Sequence, residues 1–165
     1  MDHTPLEADE SFSAVFKMPR VPLGKAEHIA AVMAADDSPE AAAFLYRQAV
    51  MRVAARKTAL LGNMARGDMP VDDAAFRKAA ADLAVVAGMV TEGFMPAGAV
   101  AGSASLPEVW SNWSDFEQKA ADLKSAADAL AAATASGGFQ AGQSLVQSTA
   151  GNCGGCHRGY RRRDE

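Results

Sequence analysis

Four stretches of this chain repeat their apolar residues at the three- and four-residue spacing of an α-helix. No stretch alternates apolar and polar residues with the period of two that marks a β-strand, and alanine, the best helix former, is abundant. With 165 residues the chain has the length of one domain. Because most links between the four stretches are short, we predict an all-α fold, an antiparallel up-down-up-down four-helix bundle.

The first helix is predicted to begin after Ser38, a good N-cap residue, and to run to about Arg66, before Gly67. Lys57 falls on its apolar side, and we expect the stem of this lysine to be buried while its ammonium reaches outward. One broad arc of the helix should face the interior, and it consists of Arg47, Val50, Met51, Val53, Ala54, Leu60, Leu61 and Met64.

The second helix should open at Asp72 or Asp73 and run to about Val90. A glycine-rich connection follows, from residue 93 to residue 107. This connection is long for a link between two helices, and its length indicates a role of its own.

A pair of glycines at residues 137 and 138 separates the third helix from the fourth. The third helix is predicted to begin with a capping box, in which Ser114 and Glu117 bind the first free backbone amides. The fourth should start near Phe139 and carries apolar residues as far as Tyr160. Since glycine is a poor helix former, we expect the third helix to end at the pair.

Residues 1–37 are interpreted as a separate amino-terminal extension, and residues 38–165 as the bundle domain. Within the extension only Gly24 to Ala35 has the pattern of a short helix. The extension is either loosely ordered or an arm that docks onto a partner or onto the bundle. Its first twenty residues hold four acidic residues and no apolar run, so they are not a signal peptide. Either the protein stays inside the cell or a leader has been removed.

Charge and hydropathy exclude several classes of protein. The chain has 16 basic and 20 acidic residues, and its net charge of −4 argues against nucleic-acid binding, which needs a basic patch. No apolar run reaches the roughly 18 residues of a transmembrane helix. No set of residues for nucleophilic or acid–base catalysis is evident, and no glycine-rich phosphate loop is present, so we do not expect an enzyme.

The most specific motif is Cys153-Gly154-Gly155-Cys156-His157, the C-x-x-C-H pattern through which c-type haem is attached. Two thiols a few residues apart can add to the two vinyl groups of one porphyrin. His157 follows Cys153 by four residues, which puts it one helical turn along on the same side, where its imidazole can bind the iron. We therefore predict one haem c, bound covalently through Cys153 and Cys156.

Two other uses of this motif are weaker. A structural zinc ion needs four ligands, whereas only Cys153, Cys156 and His157 lie together, and His3 and His28 belong to the extension. A thioredoxin-like redox pair needs a βαβ setting, which the helical pattern does not supply.

The sequence resembles the cytochrome c-prime family, including its low-spin cytochrome c556 relatives. Residues 153–161 read C-x-x-C-H-x-x-Y-R, residues 106–110 read L-P-E-V-W, and residues 46–51 read Y-R-Q-A-V-M. The resemblance extends over residues 39–161, which are 123 of the 165. It implies a four-helix bundle with a single haem near the carboxyl end. The extension and the glycine pair inside the motif depart from the family's pattern.

The resemblance also implies roles for the residues that match. Cys153 and Cys156 would form the thioethers, and His157 would be the fifth ligand of the iron. Met51 would lie on the distal side of the haem. There it would either bind the iron, as in low-spin members, or only line the distal pocket. In the second case the iron would stay five-coordinate, as in high-spin members. From its spacing alone, Met51 would be core filler.

Charged and aromatic residues would surround the haem. The resemblance places Arg47 near the propionates, which favour a cationic partner, and Arg161 near the proximal face. Trp110 either packs in the core or reaches the edge of the haem from the long connection. The basic tail either complements the carboxyl end of the last helix or forms a docking patch for an acidic redox partner, and its arginines are Arg158, Arg161, Arg162 and Arg163.

Together these features predict a monohaem c-type cytochrome that transfers electrons to redox partner proteins in the periplasm, with its leader absent from this chain. One alternative is a five-coordinate haem protein that binds nitric oxide or carbon monoxide. A second alternative is the cytochrome subunit of a larger redox complex, docked through residues 1–37. The resemblance also implies a homodimer through the first two helices, which the broad apolar arc allows but does not require.

Overall fold

The computed structural model describes residues 38–98 and 100–163. The extension at residues 1–37, with the short helix predicted from Gly24 to Ala35, lies outside the described residues. The described chain is helical and contains a single isolated bridge, between Ser105 and Arg161. Its elements are α1 (Pro39–Arg66), α2 (Asp73–Ala87), a 3₁₀ turn (Glu92–Phe94), α3 (Glu108–Ser111) and α4 (Trp113–Tyr160).

A break at Gly138 divides α4 into an amino-terminal limb, residues 113–137, and a carboxyl-terminal limb, residues 139–160. Gly138 has φ 64° and ψ −152°, a conformation that only glycine adopts readily. The limbs run antiparallel, because Thr149 contacts Ala126 near the break and Tyr160 contacts Phe116 farther from it. With α1 and α2 they form the predicted four-helix bundle, and the prediction of two helices separated by glycines is confirmed.

Local capping fixes the predicted start of α1 and α2. The Ser38 hydroxyl accepts a hydrogen bond from the backbone amide three residues later, at 3.2 Å. The Asp72 carboxylate accepts the corresponding bond at 3.0 Å. Gly67, with φ 77°, ends α1 in the left-handed conformation. However, α2 ends at Ala87 rather than near Val90. From Gly88 onward the backbone amides bond to the carbonyl three residues earlier instead of four, so the α-helix does not continue.

Two local predictions are wrong. The capping box at Ser114 does not form: α4 begins at Trp113, and Asn112 occupies the cap position without a side-chain bond. The reason is the short helix α3, which leaves only Asn112 between it and α4, so the Asn112 amide bonds to Glu108 at 3.0 Å. Val53 was expected to face the interior but is 43% exposed, so the buried arc of α1 is narrower than predicted.

The main core lies between α2 and the two limbs of α4, and the carboxyl-terminal part of α1 contributes to it. Phe76 is fully buried and meets the ring of Phe139 edge-on, with centroids 5.0 Å apart. Large apolar side chains from every major helix fill this region, among them Leu61, Met64, Phe76, Leu83, Leu130 and Val146. Burial of these side chains supplies most of the free energy that favours folding.

The turn between the two limbs is held by an ion pair on α2, which we call the Asp73–Arg77 clamp. Asp73 accepts a hydrogen bond from the backbone amide of Phe139 at 2.6 Å and pairs with Arg77 at 2.7 Å. Arg77 in turn donates to the carbonyl oxygens of Thr134 and Ala135 at 2.6 and 2.7 Å. The clamp therefore provides hydrogen-bond partners for carbonyl groups at the end of one limb and for an amide group at the start of the other.

Lys57 reaches outward as predicted, but its ammonium does not end in water. It donates to the Asp82 carboxylate of α2 at 2.6 Å, and Lys78 binds the same carboxylate at 2.9 Å. This ion-pair cluster joins the outer surfaces of α1 and α2. Within the described chain, no helix is both long enough and apolar enough to cross a membrane.

Candidate cofactor site

A cavity of about 1790 Å³ lies between α1 and the two limbs of α4. Its volume exceeds the roughly 300–1,000 Å³ of common small-molecule sites. Small side chains on α1 leave this space open, namely Ala54, Ala55, Thr58, Ala59, Gly62 and Ala65. The cavity can therefore admit a group much larger than an ordinary metabolite.

All three reactive residues of the C-x-x-C-H motif line this cavity. Cys153, Cys156 and His157 lie in the last turns of α4, and the helical period brings the first and last of them to one side. Both cysteines are half-buried, and burial raises the pKa of each thiol. The thiols are therefore uncharged at neutral pH, so the cavity wall carries no buried thiolate.

The imidazole of His157 is exposed where it meets the cavity. Its pKa is lowered, first because the surrounding protein removes water from the ring and second because Arg161 places a positive charge nearby. At neutral pH the ring is thus uncharged, which is the form whose free nitrogen can bind a metal ion.

From α1, Met51 and Arg47 also line the cavity. Met51 is half-buried and packs against the main core. Arg47 is 5% exposed; it donates to the Gly93 carbonyl oxygen at 2.9 Å and to the Ser103 hydroxyl at 3.2 Å. Burial lowers the pKa of Arg47, and among the described residues no carboxylate pairs with it.

The cavity wall has only one sign of charge. Across residues 38–98 and 100–163, no aspartate or glutamate lines it, whereas seven cations do: Arg47, Arg52, Arg66, Lys119, Arg161, Arg162 and Arg163. Apolar walls with cations suit a large apolar group that carries carboxylates. Haem, a flat macrocycle with two propionates, has this chemistry, so the residues present fit it.

Trp110 does not belong to this wall. Its indole nitrogen donates to the Phe94 carbonyl oxygen at 2.9 Å, and the two rings pack with centroids 6.4 Å apart. The short helix α3 places Trp110 against Phe94 of the 3₁₀ turn, and Phe94 in turn lines the cavity. These contacts are those of a packing residue, and that Trp110 reaches the edge of the haem stays a prediction.

The sequence prediction missed a polar cluster at the cavity wall. The Tyr160 hydroxyl donates to Asp115 and accepts from the Asn112 amide at 3.3 Å, and Asp115 pairs with Lys119 at 3.5 Å. The hydrogen bond to Asp115 raises the pKa of Tyr160 to about 12. The four-residue spacing of Asp115 and Lys119 was a visible signal, but their contact with Tyr160 joins residues 45 apart.

The glycine-rich connection holds the basic tail beside the motif. The Arg162 amide donates to the Ala104 carbonyl oxygen at 2.8 Å, and the Leu106 amide donates to the Tyr160 carbonyl oxygen at 3.0 Å. Ser103, in the same connection, receives the Arg47 guanidinium. The long connection thus ties the first helix, the tail and the cavity together, which gives its length a structural purpose.

Comparison with known proteins identifies relatives. A family model described as Cytochrome C' matches residues 42–161. Cytochrome c-556 from Agrobacterium fabrum is 34% identical over 116 residues, which cover 70% of this chain and 77% of that protein. Cytochrome c' from Halomonas halodenitrificans is 31% identical over 123 residues, which cover 70% of this chain and 92% of that protein.

The fold of this chain is also similar to that of a solved structure. Cytochrome c prime from Shewanella frigidimarina superposes with a TM-score of 0.72 at 28% identity, covering 78% of this chain and 100% of that chain. It is a four-helix bundle, so the predicted fold class is confirmed. Haem c is the cofactor of these homologues, and this chain carries its two cysteines at the C-x-x-C-H spacing.

Proposed function

Because the chain belongs to the cytochrome c-prime family, we propose that it is a monohaem electron carrier with its iron centre in the large cavity. One observation carries the proposal: two thiols and an uncharged imidazole converge on a cavity whose charged wall residues, among those described, are all cations. Haem c supplies one-electron chemistry, the change of iron between ferrous and ferric. The chain's residues hold the cofactor, shield it and set its ligands.

The motif residues are proposed to fix the cofactor. Cys153 and Cys156 would hold the haem through thioethers, each thiol adding its sulfur and hydrogen across one vinyl double bond. The His157 imidazole would bind the iron. Arg47 is proposed to pair with a propionate, since it is a buried cation without a carboxylate partner in the described chain. Arg161, which also lines the cavity, is proposed to lie near the proximal side.

Met51 is proposed as the second axial ligand. Its thioether lines the same cavity as His157, and its long side chain can adapt to reach a metal. Methionine sulfur is a soft ligand that favours ferrous iron, which suits a carrier that cycles between two oxidation states.

Covalent attachment tests the core of this proposal. The purified protein should remain red after extraction with acidified acetone, whereas the double variant Cys153→Ser, Cys156→Ser should release its haem or never bind it. His157→Ala should change the absorption spectrum and lower the stability of the protein. Haem that extracts from the wild type would overturn the proposal, and an unchanged spectrum in His157→Ala would assign the iron to another ligand.

A matched pair of methionine variants tests the sixth ligand. Met51→Leu and Met64→Leu both keep side-chain volume, and Met64 lies in the core of the same helix, 2% exposed. We expect low-spin wild-type protein that binds carbon monoxide poorly. Met51→Leu should become high-spin and bind the gas readily, whereas Met64→Leu should behave like the wild type.

A gas-binding protein is the alternative. The packing of Met51 against the core could hold it in place without a bond to iron. In that case the wild type would be high-spin, would take up carbon monoxide at once, and Met51→Leu would change little. This outcome would put nitric oxide or carbon monoxide binding ahead of electron transfer.

Location and partners follow from the same family membership. We propose that the protein is periplasmic, because cytochromes of the c' and c556 type are typically found there. We propose redox proteins as its partners. A homodimer through α1 and α2, and a docking role for residues 1–37 in a larger redox complex, stay proposals that sedimentation of the full chain and of a chain lacking residues 1–37 would test.

A further inference from the structure

A second cleft, of about 490 Å³, opens beside the haem-attachment motif. Besides Gly154 and His157 it is lined by four arginines of the tail, which are Arg158, Arg161, Arg162 and Arg163. All four arginines are exposed. His157 lines both this cleft and the large cavity, as do Arg161, Arg162 and Arg163, so the cleft adjoins the proposed iron site.

The charge around this cleft is opposite to the charge of the whole protein. The chain carries a net charge of −4, yet no acidic residue of the described ranges lines the cleft or the cavity next to it. Because salt screens charges beyond roughly 8–10 Å, a partner at this surface meets the local arginines rather than the net charge. In the sequence, Asp164 and Glu165 follow Arg163, and these two acidic residues are fewer than the four arginines.

Contacts with the glycine-rich connection hold two of the four arginines. Ser105 and Arg161 form an isolated antiparallel bridge, and the Arg162 guanidinium donates to the Ser103 carbonyl oxygen at 3.3 Å. The Arg162 amide is bound to Ala104 as well. These contacts fix the chain at Arg161 and Arg162, and they hold the Arg162 guanidinium beside the connection.

We infer that this arginine cleft is the surface on which an acidic redox protein docks to exchange one electron with the haem. The inference rests on the proposed function. In the exchange the partner's one-electron centre is oxidised as ferric iron is reduced, or the reverse, and no proton or bond need move. Complementary charge raises the rate of encounter, and His157 lines both the cleft and the cavity.

The sign of the salt dependence tests this inference. Reduced holoprotein is mixed with hexacyanoferrate(III), an anionic oxidant, and with tris(phenanthroline)cobalt(III), a cationic one, at increasing sodium chloride. If the cleft governs the reaction, the rate with the anion falls several-fold with salt, and the rate with the cation rises. If the net charge governs it, both trends have the opposite sign, and the inference is overturned.

Charge variants locate the effect. Arg158→Gln with Arg163→Gln should slow the reaction with hexacyanoferrate(III) and flatten its salt dependence. Asp164→Asn with Glu165→Gln should speed the same reaction. Lys78→Gln is the control, since Lys78 is exposed on α2 away from the cleft, and it should leave the rate at the wild-type value. An arginine variant that reacts like the wild type overturns the inference.

An acidic polypeptide tests docking as such. Polyglutamate should compete with hexacyanoferrate(III) and slow the oxidation, and polylysine should not. If the haem is covalent and cycles reversibly but polyglutamate has no effect, the docking inference fails while the proposed function stands. If covalent haem is missing, the proposed function fails, and calorimetric titration of the wild type and the arginine variant with polyglutamate still decides whether the cleft binds acidic chains.

Discussion

The two sides of the bundle are built from similar helices but differ in packing: one is filled with side chains, and the other encloses a cavity. On the closed side, between α2 and both limbs of α4, large side chains such as Phe76 and Leu130 are fully buried. On the open side, between α1 and the two limbs of α4, small residues such as Ala59 border a cavity of about 1790 Å³. Side chains that line a cavity lack packing contacts on one side. The closed side therefore supplies most of the stability of the fold, and the stability of the open side depends on the group that fills the cavity.

The largest expected effect lies on the closed side. Phe76→Ala removes a fully buried ring that packs against Phe139, and we expect a loss of about 3–5 kcal/mol in the free energy of unfolding. The absorption spectrum of the folded fraction should not change, because Phe76 does not line the cavity. Urea unfolding of the holoprotein measures the loss, and a value below about 1 kcal/mol would contradict the division into two sides.

Most helix boundaries could be predicted from the sequence because local chemistry sets them. Ser38, Gly67 and Asp72 form the caps that their residue types predict, and the glycine pair places the break in α4. Local rules failed where elements met. The cap predicted at Ser114 was overridden by α3, and the exposure of Val53 depends on which neighbours α1 has.

Matched alanine variants should sharpen the comparison. Ala79→Phe inserts a ring into the filled closed side, where Ala79 is 1% exposed, and should lower the free energy of unfolding by at least about 1–3 kcal/mol. Ala59→Phe inserts the same ring into the cavity, where space exists, and should leave the chain folded. Its effect should instead be a lower ratio of haem to protein.

The haem content of these variants is measured from the pyridine haemochrome spectrum, and their folding by circular dichroism. Ala79→Phe should show less folded protein but normal haem in the fraction that folds. An Ala59→Phe protein that is folded and fully loaded with haem would show that the cofactor does not occupy the space beside α1.

The candidate site was predictable only in part. The motif residues Cys153, Cys156 and His157 are close in sequence, and their convergence on a cavity follows from one helix. The contacts that complete the wall join distant segments, as when Tyr160 binds Asp115. A single sequence does not show such pairs, nor that the lining of the cavity is entirely cationic among the charged residues described.

The smallest expected effect concerns the Asp73–Arg77 clamp on the closed side and appears only in acid. The pKa of Asp73 is lowered, first by the hydrogen bond from Arg77 and then by the amide of Phe139. A carboxyl whose pKa is lower in the folded chain than the roughly 3.9 of the unfolded chain stabilises the fold above that value. The contribution is lost as the pH falls through the folded pKa.

Asp73→Asn should therefore make the free energy of unfolding less dependent on pH below about pH 5 than it is in the wild type. The difference should be modest, because the Asp73 side chain is 50% exposed and water screens its charge. Arg77→Gln is the comparison variant, because it removes the ion pair and also the donor to the carbonyl oxygens of Thr134 and Ala135. It should therefore lower the free energy of unfolding at neutral pH as well as in acid. Urea unfolding between pH 3 and pH 7 measures both, and equal acid slopes in wild type and Asp73→Asn would mean that the clamp holds the turn by geometry alone.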